Sequence, residues 1–180
     1  MAIHPYPAHL VQDWEQPDGL TVNIRPIRPE DSDMVHEFVK NLSDESKYFR
    51  FMDTLRELTQ AMLVRFTQID YDREMAMVAT IPGQNGKEIQ IGVARYVTNP
   101  DGESVEFALT IADEWQKRGV GRKLMSILIE IARQKGFRAV VGDVLAMNTK
   151  MFRLMSSLGF TIHPHPDDPS VKRVICALHT

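Results

Sequence analysis

Residues 104–136 constrain the fold of this chain more than any other segment. Apolar and polar residues alternate over Ser104–Ile111, which predicts a strand. Apolar residues at helical spacing then predict an amphipathic helix between Gly119 and Gly136. The strand must therefore pass into the helix through a short turn that contains Gln116-Lys117-Arg118-Gly119-Val120-Gly121-Arg122.

The remaining predicted elements have the order of an α+β domain. A first strand at 21–25 is followed by three short helices that begin near residues 29, 43 and 58. Further predicted elements are strands at 74–81 and 89–98, a strand at 138–145, a helix at 148–158, and strands at 160–163 and 171–178. This order predicts a single mixed sheet. Residues 1–20 show no sustained period and are predicted to be an N-terminal lead-in or linker, which leaves 21–180 as one domain.

Composition and charge exclude several classes of function. The 180 residues suit one domain, and 21 Lys and Arg against 24 Asp and Glu give a formal charge of −3, without the basic excess of a nucleic-acid-binding protein. Cys176 is the only cysteine, so neither an intrachain disulfide nor a thiolate zinc cluster can form. No apolar stretch approaches the roughly 18–20 residues of a membrane helix, and the first residues lack the features of a secretory signal. We expect a cytoplasmic protein that binds neither nucleic acid nor membrane.

The turn before the long helix has the composition of an anion site. Gly119 and Gly121 leave backbone N–H groups uncovered, and the helix that starts there adds the positive end of its dipole. Lys117, Arg118 and Arg122 add full positive charges. The turn is not a P-loop, because no Gly-Lys-Ser/Thr follows, and it lacks the third glycine of a dinucleotide fingerprint. Taken alone, the same residues also fit an ordinary turn with solvated basic side chains.

Together with residues further along the chain, this turn resembles the GNAT superfamily of N-acetyltransferases. Gln-x-x-Gly-x-Gly opening a long helix after a strand is similar to the acyl-CoA pyrophosphate loop of that superfamily. Asn148, followed by a helix that ends in Leu158-Gly159-Phe160, is similar to the other half of its signature. The resemblance runs from about residue 21 to 178. It implies the GNAT fold, in which a single mixed, mostly antiparallel sheet is flanked by helices on both faces, and it implies acetyl-CoA as co-substrate without a metal.

The GNAT resemblance also implies which residues hold acyl-CoA. The pyrophosphate would bind at the glycine turn, and the pantetheine arm would run between two splayed strands, hydrogen-bonded to backbone and touched by Asn148. Met151, one turn further along the same helix, would border the arm. The implied set is Leu109, Thr110, Ile111, Gln116, Lys117, Arg118, Gly119, Val120, Gly121, Arg122, Asn148 and Met151.

Two further segments resemble the GNAT domain of bacterial protein-lysine acetyltransferases of the Pat type. They are Leu42-Ser43-Asp44-Glu45-Ser46-Lys47-Tyr48-Phe49-Arg50-Phe51 and Ile69-Asp70-Tyr71-Asp72-Arg73-Glu74-Met75-Ala76. In larger members that domain follows an acyl-CoA-synthetase-like region, and His4-Pro5-Tyr6-Pro7 resembles the junction after it. The likeness implies a protein lysine as acceptor, for example on an acyl-CoA synthetase.

Glu106 is the candidate catalytic residue. An amine must be neutral to attack a thioester, and a free lysine has a pKa of about 10.4, so a base is needed. On the predicted strand, Glu106 shares a face with the small residues Ala108 and Thr110, which leave room for an amine. The pattern alone favours an ordinary solvated glutamate, but the Pat-type resemblance places its catalytic glutamate at this position and reverses that preference.

One position departs from the pattern of many GNAT enzymes. These enzymes have a tyrosine about four residues before the last Gly-Phe, which is thought to protonate the leaving CoA thiolate. The matching residue here is Met155, which cannot donate a proton. Water, the low basicity of the thiolate itself, or Glu106 acting as both base and acid would have to take this role.

The sequence therefore predicts an N-acetyltransferase that moves an acetyl or short acyl group from acyl-CoA to a protein lysine in a ternary complex, with Glu106 as general base. Two alternatives stay open. The acceptor could instead be a small amine, such as a polyamine, an amino acid or an antibiotic. The chain could also be a non-catalytic acyl-CoA-binding sensor.

Overall fold

The computed structural model describes residues 5–53 and 55–178. Residues 1–4 of the predicted lead-in and residues 179–180 of the predicted domain lie outside the described residues. They include His4 of the segment that resembles the Pat-type junction. The strands in the described part are β1 Gln12–Glu15, β2 Thr21–Pro26, β3 Glu74–Pro82, β4 Glu88–Thr98, β5 Ser104–Ile111, β6 Ala139–Leu145, β7 Thr161–Pro164 and β8 Val171–Ala177. The helices there are α1 Ser32–Lys40, α2 Asp44–Phe51, α3 Gln60–Thr67, α4 Val120–Gln134 and α5 Thr149–Ser157.

All eight strands of the described part form one sheet in the order β1-β2-β3-β4-β5-β6-β8-β7. Every neighbouring pair is antiparallel except β5 and β6, which run parallel. This confirms the prediction of a single mixed, mostly antiparallel sheet. In the described residues, β5 and β6 pair only from Ser104↔Ala139 to Glu106↔Val141, although both strands continue. A gap therefore opens in the middle of the sheet directly after Glu106.

Helices cover both faces of the sheet, as predicted. Met75 and Met77 of β3 belong to a core built with α4 and α5, whereas Ala76 and Val78 belong to a second core built with α1 and α3. Successive residues of a strand point to opposite faces, so these alternating positions show that the two helical layers lie on opposite sides. None of the described helices is both long and apolar enough to cross a membrane.

Local sequence signals account for the helices that border the gap. Ser43 caps α2, and its hydroxyl accepts the N–H of Ser46. The long helix α4 begins after Gly119, which has a φ of 87°. It is followed by Gly136 at a φ of 86°, the left-handed conformation that glycine adopts readily after a helix. The predicted bounds of these helices are therefore close to the observed ones.

The N-terminal segment contains a strand that the sequence analysis did not predict. β1 pairs antiparallel with β2, from Gln12↔Ile24 to Glu15↔Thr21, and forms one edge of the sheet. Upstream of it, the Tyr6 hydroxyl donates a hydrogen bond of 2.7 Å to the Pro26 carbonyl. The four residues of β1 carry one large apolar side chain, Trp14, and such a short run has no detectable period.

Candidate active site

A first cleft of 370 Å³ lies beyond the point where β5 and β6 diverge, between the end of β5, the start of α4 and the start of α5. Ten of the residues predicted to hold acyl-CoA line it: Leu109, Thr110, Ile111, Gln116, Lys117, Gly119, Gly121, Arg122, Asn148 and Met151. They come from β5, the loop before α4, α4 itself and the first turn of α5. The fold thus brings together residues that are widely spaced in the sequence.

The other two predicted residues do not line this cleft with their side chains. The Arg118 guanidinium lies over the Trp115 ring, 4.8 Å from its centroid. The Val120 side chain is buried in the core between the sheet and α4. Only the backbone of Val120, at the first residue of α4, is placed to contribute to an anion site. Ligand contacts by these two residues stay predictions.

The loop before α4 presents positive charge and free N–H groups to the first cleft. Lys117 and Gly119 both have positive φ values, 64° and 87°, which turn the chain sharply into the helix. The first N–H groups of a helix have no intrahelical acceptor and carry the positive end of its dipole. The side chains of Lys117, Arg122 and Lys150 line the cleft and add full charges. This end of the cleft is suited to bind a phosphate or pyrophosphate group.

Two short-range contacts fix this loop against the sheet. The Gln116 side chain donates a hydrogen bond of 3.2 Å to the Ile111 carbonyl, which ties the loop to the last residue of β5. A Cβ atom at Gly121 would lie 3.3 Å from Leu154 and 3.5 Å from Leu109, so the absence of a side chain lets α4 pack closely against α5 and β5. Both glycines of the turn therefore have a structural reason to be glycine.

The edge of β5 that faces the gap has no strand partner beyond Glu106 within the described residues. On its other edge, β5 stays paired with β4, as in Ala94↔Leu109 and Val93↔Thr110. The Ala112 N–H donates to the Ile91 carbonyl on the β4 side, and backbone groups of a strand alternate between its two edges, so those of Leu109 and Ile111 face the gap and those of Thr110 face β4. An extended ligand lying in the gap could hydrogen-bond to the backbone of Leu109 and Ile111 as an added strand would.

Asn148 is buried at the junction of β6 and α5 and caps the helix. Its Oδ1 accepts the N–H of Met151 at 3.3 Å, and its own N–H donates to the Leu145 carbonyl at 2.9 Å. Among the described residues, no acceptor is within hydrogen-bond distance of its Nδ2 group. Capping therefore uses only the oxygen of this amide and leaves the N–H₂ group free for a ligand in the cleft.

A second cleft of 520 Å³ lies between α2, α3 and the sheet, and Glu106 lines it. Glu106 is exposed to solvent, and its neighbours across the sheet are Val97 on β4 and Val141 on β6. Its carboxylate accepts no hydrogen bond from any described residue. The apolar neighbours and the absence of a protein partner leave the carboxylate available to an incoming amine.

The two clefts meet at one place. The shared lining residues are Phe49, Arg50, Leu109, Asn148 and Met151. The two clefts are therefore adjacent, and groups bound at their near ends would lie close to the same side chains. Such proximity is a geometric requirement for direct transfer between two bound molecules.

The sequence analysis did not assign several residues that border these clefts. Phe49 and Arg50 belong to the Pat-type segment 42–51 without an assigned role, and the structure places both against the two clefts. Lys47 and Tyr48 differ from them: Lys47 is buried and donates to the Arg56 carbonyl at 2.6 Å, and Tyr48 is exposed. Arg95 was also missed, although a charged residue inside a mainly apolar strand such as β4 is a recognisable signal.

Met155 lies in the core between the sheet and α4 and lines neither cleft. The Met155 side chain therefore faces neither cleft. Within residues 5–53 and 55–178, no three His, Cys, Asp or Glu side chains form a group that could hold a metal ion.

Comparison with known proteins gives consistent matches. Residues 21–161 match the family model of the acetyltransferase (GNAT) domain. An acetyltransferase of Pseudomonas aeruginosa is 37% identical over 151 residues, which cover 84% of this chain and 81% of that protein. Acetyltransferase Pat of Mycolicibacterium smegmatis is 32% identical over 137 residues, which cover 76% of this chain and 40% of Pat. The crystal structure of the GNAT domain of S. lividans PAT superposes with a TM-score of 0.87 and 31% identity, over 97% of this chain and 100% of that domain.

Proposed function

This chain belongs to the GNAT acetyltransferase family, and from that premise we propose that it transfers an acetyl group from acetyl-CoA to a lysine side chain of a protein. The observation that carries this proposal is the junction of the two clefts. Glu106 lies in the second cleft, in the last residue pair before β5 and β6 diverge, and the first cleft begins where the strands separate.

Acetyl-CoA would occupy the first cleft. Its pyrophosphate would bind to the N–H groups at the start of α4 and to Lys117 and Arg122. Its pantetheine arm would lie in the gap, hydrogen-bonded to the free edge of β5 at Leu109–Ile111 and to the Nδ2 group of Asn148. The acetyl group would then reach the junction with the second cleft. Backbone N–H groups of β5 would polarise the thioester carbonyl.

The lysine would enter through the second cleft with its amine next to Glu106. Glu106 would remove a proton from the ammonium, directly or through water, and the neutral amine would attack the thioester carbon. A C–N bond forms as the C–S bond breaks, and the nitrogen loses its second proton to solvent as the amide forms. The products are the acetylated amine, the CoA thiolate and the two protons, one held by Glu106 and one released to water. Because Met155 lies in the core, the proton for the thiolate would come from protonated Glu106 or from water.

The rim of the second cleft supports a protein acceptor. Met52 and Val97 line the cleft and are 40% and 43% exposed, and Met147, next to Asn148, is 68% exposed. Exposed apolar side chains grouped at one opening are typical of surfaces that contact another protein. The likeness of residues 42–51 and 69–76 to Pat-type enzymes points the same way.

A small amine is the second candidate acceptor, and two carboxylates of the second cleft favour it. Glu74, Glu106 and Asp143 line this cleft together with three arginines, and Asp143 is paired with Arg173 at 3.2 Å. Glu74 and Glu106 would attract a free ammonium group without any contact outside the cleft. The experiment described next therefore compares a protein acceptor with small amines.

The decisive experiment measures CoA thiol release from acetyl-CoA in the presence of a folded acyl-CoA synthetase or a panel of small amines. We expect release with the protein acceptor and a fall of roughly 10² or more in turnover for Glu106→Gln, with nearly unchanged acetyl-CoA affinity. Glu103→Gln is the matched control, because Glu103 is exposed and lines neither cleft.

Three results would contradict parts of this proposal. Unchanged turnover in Glu106→Gln would remove Glu106 as the base. Release with small amines alone would replace the protein acceptor. Tight acetyl-CoA binding without release for any acceptor would indicate a sensor instead of an enzyme.

A further inference from the structure

We propose that the second cleft contains an anion subsite, formed by Arg50, Arg65 and Arg95, that binds a carboxylate of the acceptor close to the amine that is acetylated. The inference rests on the proposed function in requiring an amine acceptor, but it does not require that acceptor to be a protein. The three residues, called here the arginine cluster, come from α2, α3 and β4 and line the same cleft as Glu106.

Aromatic stacking holds two guanidinium groups of the arginine cluster in place. Arg95 lies over the Phe66 ring at 4.6 Å and Arg50 lies over the same ring at 5.7 Å. Arg50 also lies 4.8 Å from the centroid of the Phe51 ring. Stacking on a ring face fixes the plane of a guanidinium without consuming its N–H donors.

Most of the hydrogen-bonding capacity of the arginine cluster is unused. Arg95 donates to the Phe66 carbonyl at 2.8 Å, and a guanidinium has five N–H donors in all. The ion pairs between the described residues involve other side chains, and none of the three arginines takes part in one. Donors held in a fork and left without a carboxylate are suited to bidentate binding of one.

Electrostatics gives an independent reason to expect an anion. Burial lowers the pKa of Arg95, and the nearby positive charges of Arg50 and Arg65 lower it further, although Glu74 acts in the opposite direction. Burial also lowers the pKa of Arg50. Positive charges held together in a partly desolvated site are unfavourable. An incoming carboxylate would relieve that repulsion.

The sheet register places the arginine cluster next to the proposed base. Val97 pairs with Glu106, and Arg95 pairs with Ala108, so Arg95 is the diagonal neighbour of Glu106 on the same face. Diagonal positions of this kind are about 7–8 Å apart. The small side chain of Ala108 leaves the space beside them open. An acceptor that reaches both Glu106 and Arg95 would therefore have its amine and its carboxylate separated by several bonds.

The carboxylate that binds the arginine cluster could belong to a protein side chain or to a small amino acid, and matched pairs of acceptors distinguish these two sources. One pair is a peptide whose lysine is flanked by Asp or Glu and the same peptide with Asn or Gln. The other pair is 6-aminohexanoate and its amide. We expect the carboxylate member of at least one pair to have a kcat/KM higher by about tenfold or more, mainly through a lower KM. The pair that responds identifies the source as a protein side chain or a small amino acid.

Substitutions of Arg95 and Arg65 test whether these residues form the anion subsite. Arg95→Gln and Arg65→Gln should abolish the preference for the carboxylate while leaving the Kd for acetyl-CoA unchanged. Arg65 is exposed, so its variant should fold even if the half-buried Arg95 variant does not. Arg153→Gln is the control, because Arg153 is exposed on α5 and lines neither cleft.

Equal kcat/KM for the charged and neutral members of both pairs would overturn the subsite, as would a preference that survives both substitutions. If no acceptor is acetylated, calorimetric binding of 6-aminohexanoate and its amide replaces the kinetics, and equal affinities would overturn it. The results that would contradict the proposed function differ from those that would contradict the subsite. Acetylation of amino acids but of no protein would refute the protein acceptor and leave the subsite standing. Protein acetylation with equal kcat/KM for the charged and neutral members of both pairs would do the reverse.

Discussion

The Asp113 carboxylate accepts both the backbone N–H and the hydroxyl of Ser43, at 3.0 and 2.7 Å. Ser43 is the N-cap residue of α2, and the hydroxyl of Ser46 in the first turn donates to the same carboxylate at 3.0 Å. Asp113 lies two residues after the end of β5, so one side chain ties the strand that borders the gap to the helix above it. Since α2 supplies Phe49 and Arg50 to both clefts, its position decides how the two clefts meet.

Replacing Asp113 with Asn should loosen α2. An amide can accept these donors with only one of its two groups, so we expect a loss of roughly 1 kcal/mol in the free energy of unfolding and weaker binding of acetyl-CoA. Urea denaturation and acetyl-CoA titration measure the two effects. Asp168→Asn is the matched control, because Asp168 accepts the N–H and hydroxyl of Ser170, lines neither cleft and makes no hydrogen bond to the described residues of α2, so its loss should leave acetyl-CoA binding intact. Equal binding by both variants would show that Asp113 does not position α2.

The same anchor predicts a pH dependence. Burial tends to raise the pKa of Asp113, but hydrogen bonds from Ser43 and Ser46 outweigh it and hold the pKa below the ordinary 3.8. A carboxyl whose pKa is depressed on folding stabilises the protein above its ordinary pKa and loses that contribution as pH falls through its folded value. The stability difference between wild type and Asp113→Asn should therefore be full at pH 7 and shrink below about pH 4. Urea denaturation at several pH values checks this, and a constant difference would contradict it.

Two substitutions of Asn148 can separate its role in capping α5 from its proposed role in binding acetyl-CoA. Asn148→Asp keeps an oxygen that can accept the Met151 N–H, so stability should stay near that of wild type, whereas Asn148→Ala should cost about 1 kcal/mol. Both variants lose the Nδ2 donor, and we expect acetyl-CoA affinity to fall by about threefold to tenfold in each. Thermal unfolding and calorimetry separate the two quantities. Wild-type affinity in both variants would limit Asn148 to a capping role.

Gly142 of β6 has no room for a side chain, because the Phe107 ring lies against it where β5 and β6 separate. A Cβ atom at Gly142 would overlap the Phe107 ring, 2.8 Å from its Cδ1 atom, and Phe107 is the first residue of β5 without a partner on β6 in the described chain. Gly142→Ala should reduce the free energy of unfolding by about 1–3 kcal/mol through overpacking. Denaturant unfolding measures this cost. The cost should be smaller in a Phe107→Leu background, and an equal cost in both backgrounds would place the strain elsewhere.

The sequence by itself determined the elements whose patterns are local. The bounds of β5 and α4 follow from residue spacing and from the glycines that flank the helix, because alternation and helical periodicity depend on neighbouring residues alone. The glycine turn before α4 likewise has a local signature. The resemblance of this turn and of Asn148 to GNAT enzymes then implied ten of the residues that line the first cleft.

Tertiary structure decided how those elements meet. β1 exists because β2 offers it an edge, and four residues with one large apolar side chain carry no such information. The arginine cluster joins residues of two helices and a strand that no spacing rule relates. The exposure of Glu106 and the gap beside it depend on where pairing between β5 and β6 stops. The physical reason is that strand pairing and the grouping of charges depend on contacts between distant segments, whereas periodicity and capping are complete within a single turn or strand.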